Sequence, residues 1–388
     1  MTYVVTAAVR PFVTSAAVQR VAAASLRTAH PTATADLVSL AMGEPGFDTP
    51  PSIRLAAHAS MESGYTHYAH LNGDSELRET LAGRLNRDHA TDYSAEHILV
   101  THGGTGGLAA AIVAVVDPGD GVVIPDPTYS LYADLIRLVG GRPVPVPLQD
   151  DLHWDLDALA AALAGAKAFI FCNPSNPTGI VHTRDELTAL AAMLAGTATL
   201  VLSDEAYSEL VYTEAPFVST LDVAGLVERT LYCQTFSKAY AMTGWRQGYL
   251  AGDRDVIAAA ARVHALTAGP LNPATQRAAL VAVNEPPAEL KMMHEQYRLR
   301  RDLMIGGLGG IAGLGLAHPD GAFYAFPRYD AEMTAVAMVA HLRAHGVAVR
   351  PGSEFGAAGE RHIRLSFAAD PAAITTGLER IRAAFTQL

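Results

Sequence analysis

Two basic side chains, Lys238 and Arg246, stand in the otherwise apolar and neutral segment TFSKAYAMTGWRQGYL, residues 235–250. Burial in an apolar setting disfavours the ammonium form of a lysine and leaves a more nucleophilic amine, which can form a Schiff base with an aldehyde. A guanidinium group offers a fork of N–H donors that suits phosphate. The segment contains no acid, so the partners of both basic groups must come from elsewhere.

Polar residues follow other strand-like runs of the chain. Asp204 ends the apolar run TLVLSD, and Tyr207 comes three residues later. An acid at a strand end is most often a cap or turn residue, but it can also hold a proton on the nitrogen of a flat heterocycle. Asn176 belongs to NPSNPTG, whose turn-forming residues alone explain its composition. The functional alternative is that Asn176 and Tyr207 both hydrogen-bond a ring oxygen of the same heterocycle.

Candidate anion sites complete the set. In THGGTGG (101–107) the backbone amides of Gly104 and Thr105 are placed at a predicted helix N-terminus, which suits phosphate. This stretch lacks the lysine of an ATP-binding P-loop and the spacing of a dinucleotide fingerprint. Arg364 lies in the strand-like HIRLSFA, where a buried arginine needs an anion such as a substrate carboxylate. Tyr129, after a Pro-Asp-Pro turn, is either a core residue or an aromatic that stacks on a flat ligand.

Several of these residues, such as Gly104, Tyr129, Asn176, Asp204 and Lys238, stand at the ends of predicted strands. Continuous apolar runs at 98–101, 122–126, 167–172, 199–204 and 230–236 alternate with helical stretches, one of which opens with a Thr183–Glu186 capping box. Such runs are typical of a parallel sheet covered on both faces, and ligands bind such sheets beyond the carboxyl ends of the strands. After about residue 286 a long charged helix and short strands indicate a smaller α+β domain.

Composition narrows the function. Half of the 388 residues are apolar and the net charge is −11 without a basic block, so we expect no nucleic-acid partner. There is no apolar run of membrane-spanning length and no secretory signal pattern, so we expect no membrane partner and a cytoplasmic location. Cys172 and Cys233 lie in apolar runs and are predicted to be buried, reduced thiols.

Taken together, NPSNPTG, SDEAY and SKAYAMTGWR make the chain resemble the class I/II aminotransferases, pyridoxal-phosphate enzymes of fold type I in the aspartate aminotransferase superfamily. The resemblance extends from GEPGFDTP at 43–50 to RPGSEFG and HIRLSFA near the C-terminus. It implies an α/β fold with a large domain (43–285), whose mostly parallel sheet is sandwiched by helices. It also implies a smaller α+β domain formed by 1–42 and 286–388.

The resemblance also implies residue roles. Lys238 forms the Schiff base with pyridoxal 5'-phosphate, Asp204 binds the pyridinium nitrogen, and Tyr207 and Asn176 bind the ring hydroxyl oxygen. The remaining cofactor ligands are implied to be Gly104, Thr105, Thr235, Ser237 and Arg246 at the phosphate, Tyr129 on the ring, and Tyr65 reaching the phosphate of a neighbouring subunit. Arg364 holds the substrate α-carboxylate, the backbone of Gly43 meets the substrate, and Asn176 lies beside it. Tyr65 therefore implies a homodimer with shared active sites.

The expected activity is ping-pong transfer of an amino group between an α-amino acid and a 2-oxo acid, class 2.6.1. The alternatives are a lyase, or another elimination or oxidative reaction on the same cofactor, and a non-catalytic sensor, which lacks support because no basic DNA-binding module is fused here. Two departures from the family concern the substrate entrance: Gly73 lies eight residues after Tyr65, more than is usual, and Gly269 and Pro270 replace a common Ser-Asn. No second arginine is identified for a side-chain carboxylate, so the sequence does not favour a dicarboxylic specialist.

Overall fold

The computed structural model describes residues 14–26 and 36–388. Helices and strands alternate through most of these residues. The helices are α1 (Ala16–Ala24), α2 (Pro51–Glu62), α3 (Ser75–His89), α4 (Gly103–Val115), α5 (Leu131–Val139), α6 (Leu156–Leu163), α7 (Arg184–Leu194), α8 (Arg254–Thr267), α9 (Pro273–Asn284), α10 (Glu289–Leu308), α11 (Ala335–Ala344) and α12 (Pro371–Phe385). The strands are β1 (Val38–Ser39), β2 (Ile98–His102), β3 (Gly121–Asp126), β4 (Arg142–Pro147), β5 (Ala168–Cys172), β6 (Leu200–Asp204), β7 (Thr230–Thr235), β8 (Gln247–Ala251), β9 (Leu314–Gly315), β10 (Tyr324–Ala325), β11 (Arg328–Tyr329), β12 (Val347–Ala348), β13 (Arg350–Pro351) and β14 (Ile363–Ser366).

The main sheet has seven strands in the order β2-β8-β7-β6-β5-β3-β4. All of its strands are parallel except β8, which runs antiparallel to both β2 and β7. The central strand β6 is buried along nearly its whole length, and its neighbour β5 is fully buried, because the sheet is covered on both faces. The predicted mostly parallel sheet is therefore confirmed, and the carboxyl ends of β2, β3, β5, β6 and β7 meet at one edge.

Local sequence signals fix how several helices begin. At α7 the Thr183 side chain accepts from the Glu186 backbone N–H, and the Glu186 side chain accepts from the Thr183 backbone N–H, which is the predicted capping box. At α4 the chain turns from β2 into the helix through Gly103, whose φ is +67°. Glycine adopts this left-handed conformation without a steric penalty, so the first amides of α4 can face the sheet edge.

The C-terminal part of the chain forms smaller sheets. Strands β10, β14 and β13 make an antiparallel sheet, and β1 pairs with β12 in parallel. The loop after β13 contacts the main sheet, since Thr128 donates its backbone N–H to the Phe355 carbonyl at 2.8 Å. Ala358 likewise donates its backbone N–H to Asp126 Oδ1 at 3.1 Å. The loop therefore connects the smaller sheets with the carboxyl end of β3.

The division into domains stays a prediction. The sequence assigns 1–42 to the small domain, and β1 does pair with β12 of that part. Helix α1, however, lies against α5: Ser25 Oγ donates to Asp134 Oδ2 at 2.7 Å, and Arg20 Nε donates to the Arg137 carbonyl at 3.2 Å. Residues 1–13 and 27–35 of this assignment lie outside the described residues.

Two further expectations concern the described residues. Cys172 and Cys233 are buried and free, as predicted. None of the helices in the described residues is long and apolar enough to cross a membrane.

Candidate active site

A cavity of about 350 Å³ lies at the carboxyl edge of the main sheet. It is lined by residues from β6, β7, the N-terminus of α4, the NPSNPTG turn and the smaller sheets. Every residue that the sequence proposes for the site lines it except Tyr65, namely Gly43, Gly104, Thr105, Tyr129, Asn176, Asp204, Tyr207, Thr235, Ser237, Lys238, Arg246 and Arg364. The fold thus brings together residues that are up to 321 positions apart in the chain (364 − 43 = 321).

Lys238 is held at this cavity by a hydrogen bond to the backbone. Its Nζ donates to the carbonyl oxygen of Gly43 at 2.8 Å. Burial, reinforced by the positive charge of Arg364, lowers the pKa of the Lys238 amine to about 8. A substantial share of the amine is therefore neutral near physiological pH, which is the form that attacks an aldehyde.

Gly43 is required by close packing rather than by its backbone angle. A Cβ atom at this position would lie 2.1 Å from the Tyr324 hydroxyl oxygen. Tyr324 in turn lies 2.9 Å, oxygen to oxygen, from the Tyr207 hydroxyl. Any larger residue at 43 would displace this hydroxyl pair and the carbonyl that binds Lys238.

Asp204 is a buried acid at the end of β6, with 6% of its surface exposed. Burial raises the pKa of its carboxyl group, while the hydroxyl of Tyr132 opposes that rise by donating to Oδ2 at 2.7 Å. The backbone N–H of Ala206 donates to Oδ1 at 3.3 Å. Tyr132 is fully buried in α5 and was missed by sequence reasoning, which considered only its neighbour Tyr129.

Arg364 and Asn176 form the opposite wall. Arg364 Nη1 donates to Asn176 Oδ1 at 2.9 Å, and Nη2 donates to the Ala41 carbonyl at 2.9 Å. The guanidinium lies 4.4 Å from the ring centroid of Tyr324 and 4.8 Å from that of Phe355. Among the described residues, its buried Nε has no hydrogen-bond partner. Because Asn176 accepts through Oδ1, its amide nitrogen is the atom that can donate to a ring oxygen.

The anion-binding corner combines backbone and side-chain donors. The exposed Arg246 has a φ of 56°, which is uncommon for a residue with a side chain and recurs at functional sites. Its guanidinium crosses Gly103 so closely that a Cβ there would lie 2.6 Å from Nη2. Thr235 Oγ1 lies 2.9 Å from Ser237 Oγ and accepts from the Ser237 backbone N–H at 3.1 Å. This corner and the N-terminus of α4 suit a phosphate group.

A second arginine also faces the cavity, which sequence reasoning missed. Arg350 on β13 stands directly opposite Arg364 on β14 in the strand register. Its guanidinium pairs with Glu354, and both side chains are buried at 4% and 6% exposure. The like charges of Arg350 and Arg364 are thereby balanced within the cavity.

Tyr65 lies outside the cavity of its own chain. It is 41% exposed, and the Arg277 guanidinium lies 5.4 Å from its ring centroid. Its neighbour Tyr68 is 94% exposed. The geometry within one chain therefore assigns Tyr65 no contact with the other site residues.

The cavity fits pyridoxal phosphate in each of its parts. A lysine with a lowered pKa, a buried carboxylate at the sheet edge, an anion-binding corner and a buried guanidinium with an unused donor surround one space. These groups match the aldehyde, ring nitrogen and phosphate of the cofactor and the carboxylate of an amino acid.

Comparisons with known proteins agree with this geometry. Residues 35–381 match the family described as aminotransferase class I and II. The chain is 37% identical to a putative aminotransferase, YugH, of Bacillus subtilis, with 91% of this chain and 90% of that protein covered. It is 35% identical to an aspartate/prephenate aminotransferase of Cereibacter sphaeroides, with 90% and 91% covered.

Solved structures give the same result. An aromatic aminotransferase from Pyrococcus horikoshii superposes with a TM-score of 0.90 at 32% identity, covering 96% of this chain and 99% of that one. An aspartate aminotransferase from Thermus thermophilus, with maleate, gives 0.85 at 35% identity, covering 90% and 92%. The chain therefore belongs to the class I and II aminotransferases, the pyridoxal-phosphate-dependent transferases of amino groups in class 2.6.1.

Proposed function

We propose that this chain transfers the amino group of an α-amino acid to a 2-oxo acid, with Lys238 as the residue that binds the cofactor and moves the proton. The observation that supports it most is the convergence of Lys238, Asp204 and Arg364 on one cavity. When bound, pyridoxal phosphate supplies an electron-withdrawing ring that accepts the electrons of the substrate Cα–H bond.

Each side chain has a stated task in this proposal. Arg364 binds the substrate α-carboxylate through parallel N–H donors and so orients the Cα–H bond toward Lys238. The neutral Lys238 amine takes the proton from the substrate Cα. It then delivers this proton to the cofactor carbon that receives the amino group. Asp204, as a carboxylate, holds a proton on the ring nitrogen. The Tyr132 hydroxyl keeps the Asp204 carboxylate in place and ionised by donating a hydrogen bond to it. Tyr207 and the Asn176 amide donate to the ring hydroxyl oxygen.

The substrate side chain meets Arg350 and Glu354 in this cavity. The second carboxylate of a dicarboxylic substrate would bind the Arg350 guanidinium, for which it would compete with the Glu354 carboxylate. Similar proteins are named for aspartate and prephenate, which carry such a second carboxylate, and for aromatic amino acids. We therefore place dicarboxylic and aromatic amino acids first in the panel of donors.

The test supplies the purified holoenzyme with one amino acid and one unrelated 2-oxo acid and quantifies both products. Amino transfer predicts equal amounts of the new 2-oxo acid and the new amino acid, with parallel lines in double-reciprocal plots. Ammonia release without an aminated acceptor would instead favour a lyase. A cofactor-bound protein that forms neither product would favour a sensor. Lys238→Arg, which keeps the charge at this position, is the matched inactive control.

We further propose a homodimer in which Tyr65 reaches the phosphate in the partner's site. Its exposure supports this, as does the fact that it does not line the cavity of its own chain. Mixing Lys238→Ala with Tyr65→Ala, each expected to lose activity alone, tests it, because a mixed dimer with shared sites has one site without either substitution. Recovery of activity on mixing is the expected result. A monomer in sedimentation, or a mixture as inactive as its components, would contradict shared sites.

A cytoplasmic location is the final part of the proposal. The buried, unpaired Cys172 and Cys233 support it, because reduced thiols are usual in the cytosol. Recovery of the native protein with the cytosolic enzymes after cell fractionation is the expected result, and recovery from a secreted fraction would contradict it.

A further inference from the structure

A cluster of two histidines and one glutamate lies outside the active-site cavity. His153 precedes α6, His182 follows the NPSNPTG turn, and Glu186 belongs to the first turn of α7. His153 Nδ1 lies 3.0 Å from Glu186 Oε1, and His182 Nδ1 lies 3.1 Å from the same oxygen. One ligand atom from each residue lies within 4.8 Å of the other two, which no other His, Cys, Asp or Glu triplet in the described residues achieves.

The donor set matches a zinc-like transition metal. Two imidazole nitrogens and one carboxylate oxygen are a common set of protein ligands for zinc, with water as the fourth. Ligand atoms about 2.1 Å from a tetrahedral ion stand about 3.4 Å from one another. The two observed nitrogen–oxygen separations, 3.0 and 3.1 Å, are shorter than this value by only a few tenths of an ångström.

The surrounding contacts fix the orientation of the ligands. The Trp154 ring stacks on His182 with 3.9 Å between centroids. Glu186 Oε2 accepts from the Thr183 backbone N–H at 2.7 Å, and Oε1 is the oxygen that lies within 3.1 Å of both imidazoles. Such outer contacts hold metal ligands in place and are part of a metal site.

Access also suits a metal ion. His153 is 30% exposed and borders an open pocket, through which water can reach the fourth position.

We propose that His153, His182 and Glu186 bind one zinc-like divalent ion. The ion would tie the loop before α6 to the start of α7. His182 also donates its backbone N–H to Asn173 Oδ1 at 3.0 Å, and Asn173 opens the turn that carries Asn176. The metal site would therefore stabilise the NPSNPTG turn, which lines the active site through Asn176, without contacting the substrate.

The experiment uses full-length, tag-free holoenzyme stripped with a chelator and titrated with Zn²⁺ and, separately, Co²⁺. Calorimetry is expected to give one Zn²⁺ per chain, and Co²⁺ is expected to show the intense visible bands of tetrahedral coordination. Zn²⁺ is also expected to raise the unfolding temperature. His153→Ala, at the most exposed ligand, should weaken Zn²⁺ binding at least tenfold while the protein stays folded, and His182→Ala should abolish the cobalt bands.

Matched controls separate this site from chance binding. His341 and His345 form another histidine pair, with ring centroids 4.6 Å apart, and His341→Ala should leave the cobalt spectrum unchanged. The exposed His58 gives a second control, His58→Ala. The proposal is overturned if the stripped protein binds no ion, if His153→Ala binds Zn²⁺ like the unaltered chain, or if His341→Ala removes the cobalt signal. Amino transfer is measured separately, so its failure would not bear on this site.

Discussion

Tyr132→Phe tests how Asp204 is kept ionised. The Tyr132 hydroxyl donates to Asp204 Oδ2 at 2.7 Å inside the protein, and the tyrosine side chain is fully buried. Phenylalanine keeps the ring and its packing but removes this one donor. The substitution therefore changes the electrostatics of Asp204 with little change in volume.

The expected magnitude follows from the hydrogen bond. A hydrogen bond to a charged group contributes about 1.5–3 kcal/mol. At 1.36 kcal/mol per pKa unit, its loss should raise the pKa of Asp204 by about 1–2 units beyond the rise that burial already causes. Because Asp204 must be a carboxylate to hold the ring-nitrogen proton, the rate of Cα proton removal should fall by about ten- to a hundredfold on the acid limb of the pH profile, where the ionised fraction of Asp204 limits the rate.

The assay is single-turnover conversion of the holoenzyme with a saturating amino acid, across a pH series. The acid limb of the rate profile should move to higher pH in Tyr132→Phe, because the raised pKa of Asp204 requires a higher pH for ionisation. A purely structural role would lower cofactor content or stability without moving this limb. Cofactor content is therefore measured on the same samples.

Tyr297→Phe is the matched control. Tyr297 is also buried, but its hydroxyl has no hydrogen-bond partner among the described residues. Its removal should leave the rate and the pH profile unchanged. A Tyr132→Phe protein with full cofactor, the original rate and an unmoved acid limb would refute the role given to this hydrogen bond.

Three further predictions concern other parts of the site. Arg364→Lys keeps the charge but loses the fork, so binding of the α-carboxylate should weaken by roughly 1–3 kcal/mol; unchanged discrimination between amino acids and their decarboxylated amines would contradict this. Covalent uptake of pyridoxal phosphate by the cofactor-free protein should rise about tenfold per pH unit and level off above about pH 8, because Lys238 attacks as a neutral amine and its pKa is about 8; a pH-independent uptake rate would count against it. Shortening the exposed loop 66–72 should change the relative kcat/KM among amino acids by a factor equivalent to about 1 kcal/mol or more, while leaving cofactor absorbance intact. An unchanged substrate ranking would show that the loop has no role in substrate choice.

The sequence predicted the parts of the fold that have strong local signals. Strands β5 and β6 were recognised because each is a continuous apolar run, and α7 because Thr183 and Glu186 form a capping box. The direction of β8 was not predicted, because a short apolar run carries no information on whether its neighbours are parallel. The sheet is therefore mostly parallel, as predicted, but contains one antiparallel strand, β8.

The sequence placed Lys238 and Asp204 at one edge of the sheet because each follows a predicted strand, and both line the cavity, while their roles stay predictions. Tyr132 and Arg350 were missed for a physical reason. Tyr132 lies within a helix, and its contact with Asp204 depends on how α5 packs on the sheet. Arg350 lies on a two-residue strand whose register with Arg364 is set by tertiary pairing. The spacing of residues along the sequence does not reveal either contact.

The attachment point of the cofactor tests the central claim most directly. The chain contains only three lysines, Lys167, Lys238 and Lys291, so reduction of the holoenzyme with borohydride followed by peptide mass analysis has few outcomes. The account predicts one pyridoxyl group per chain, on Lys238, and none in Lys238→Ala. A reduced adduct on Lys167 or Lys291, or one that persists in Lys238→Ala, would contradict it.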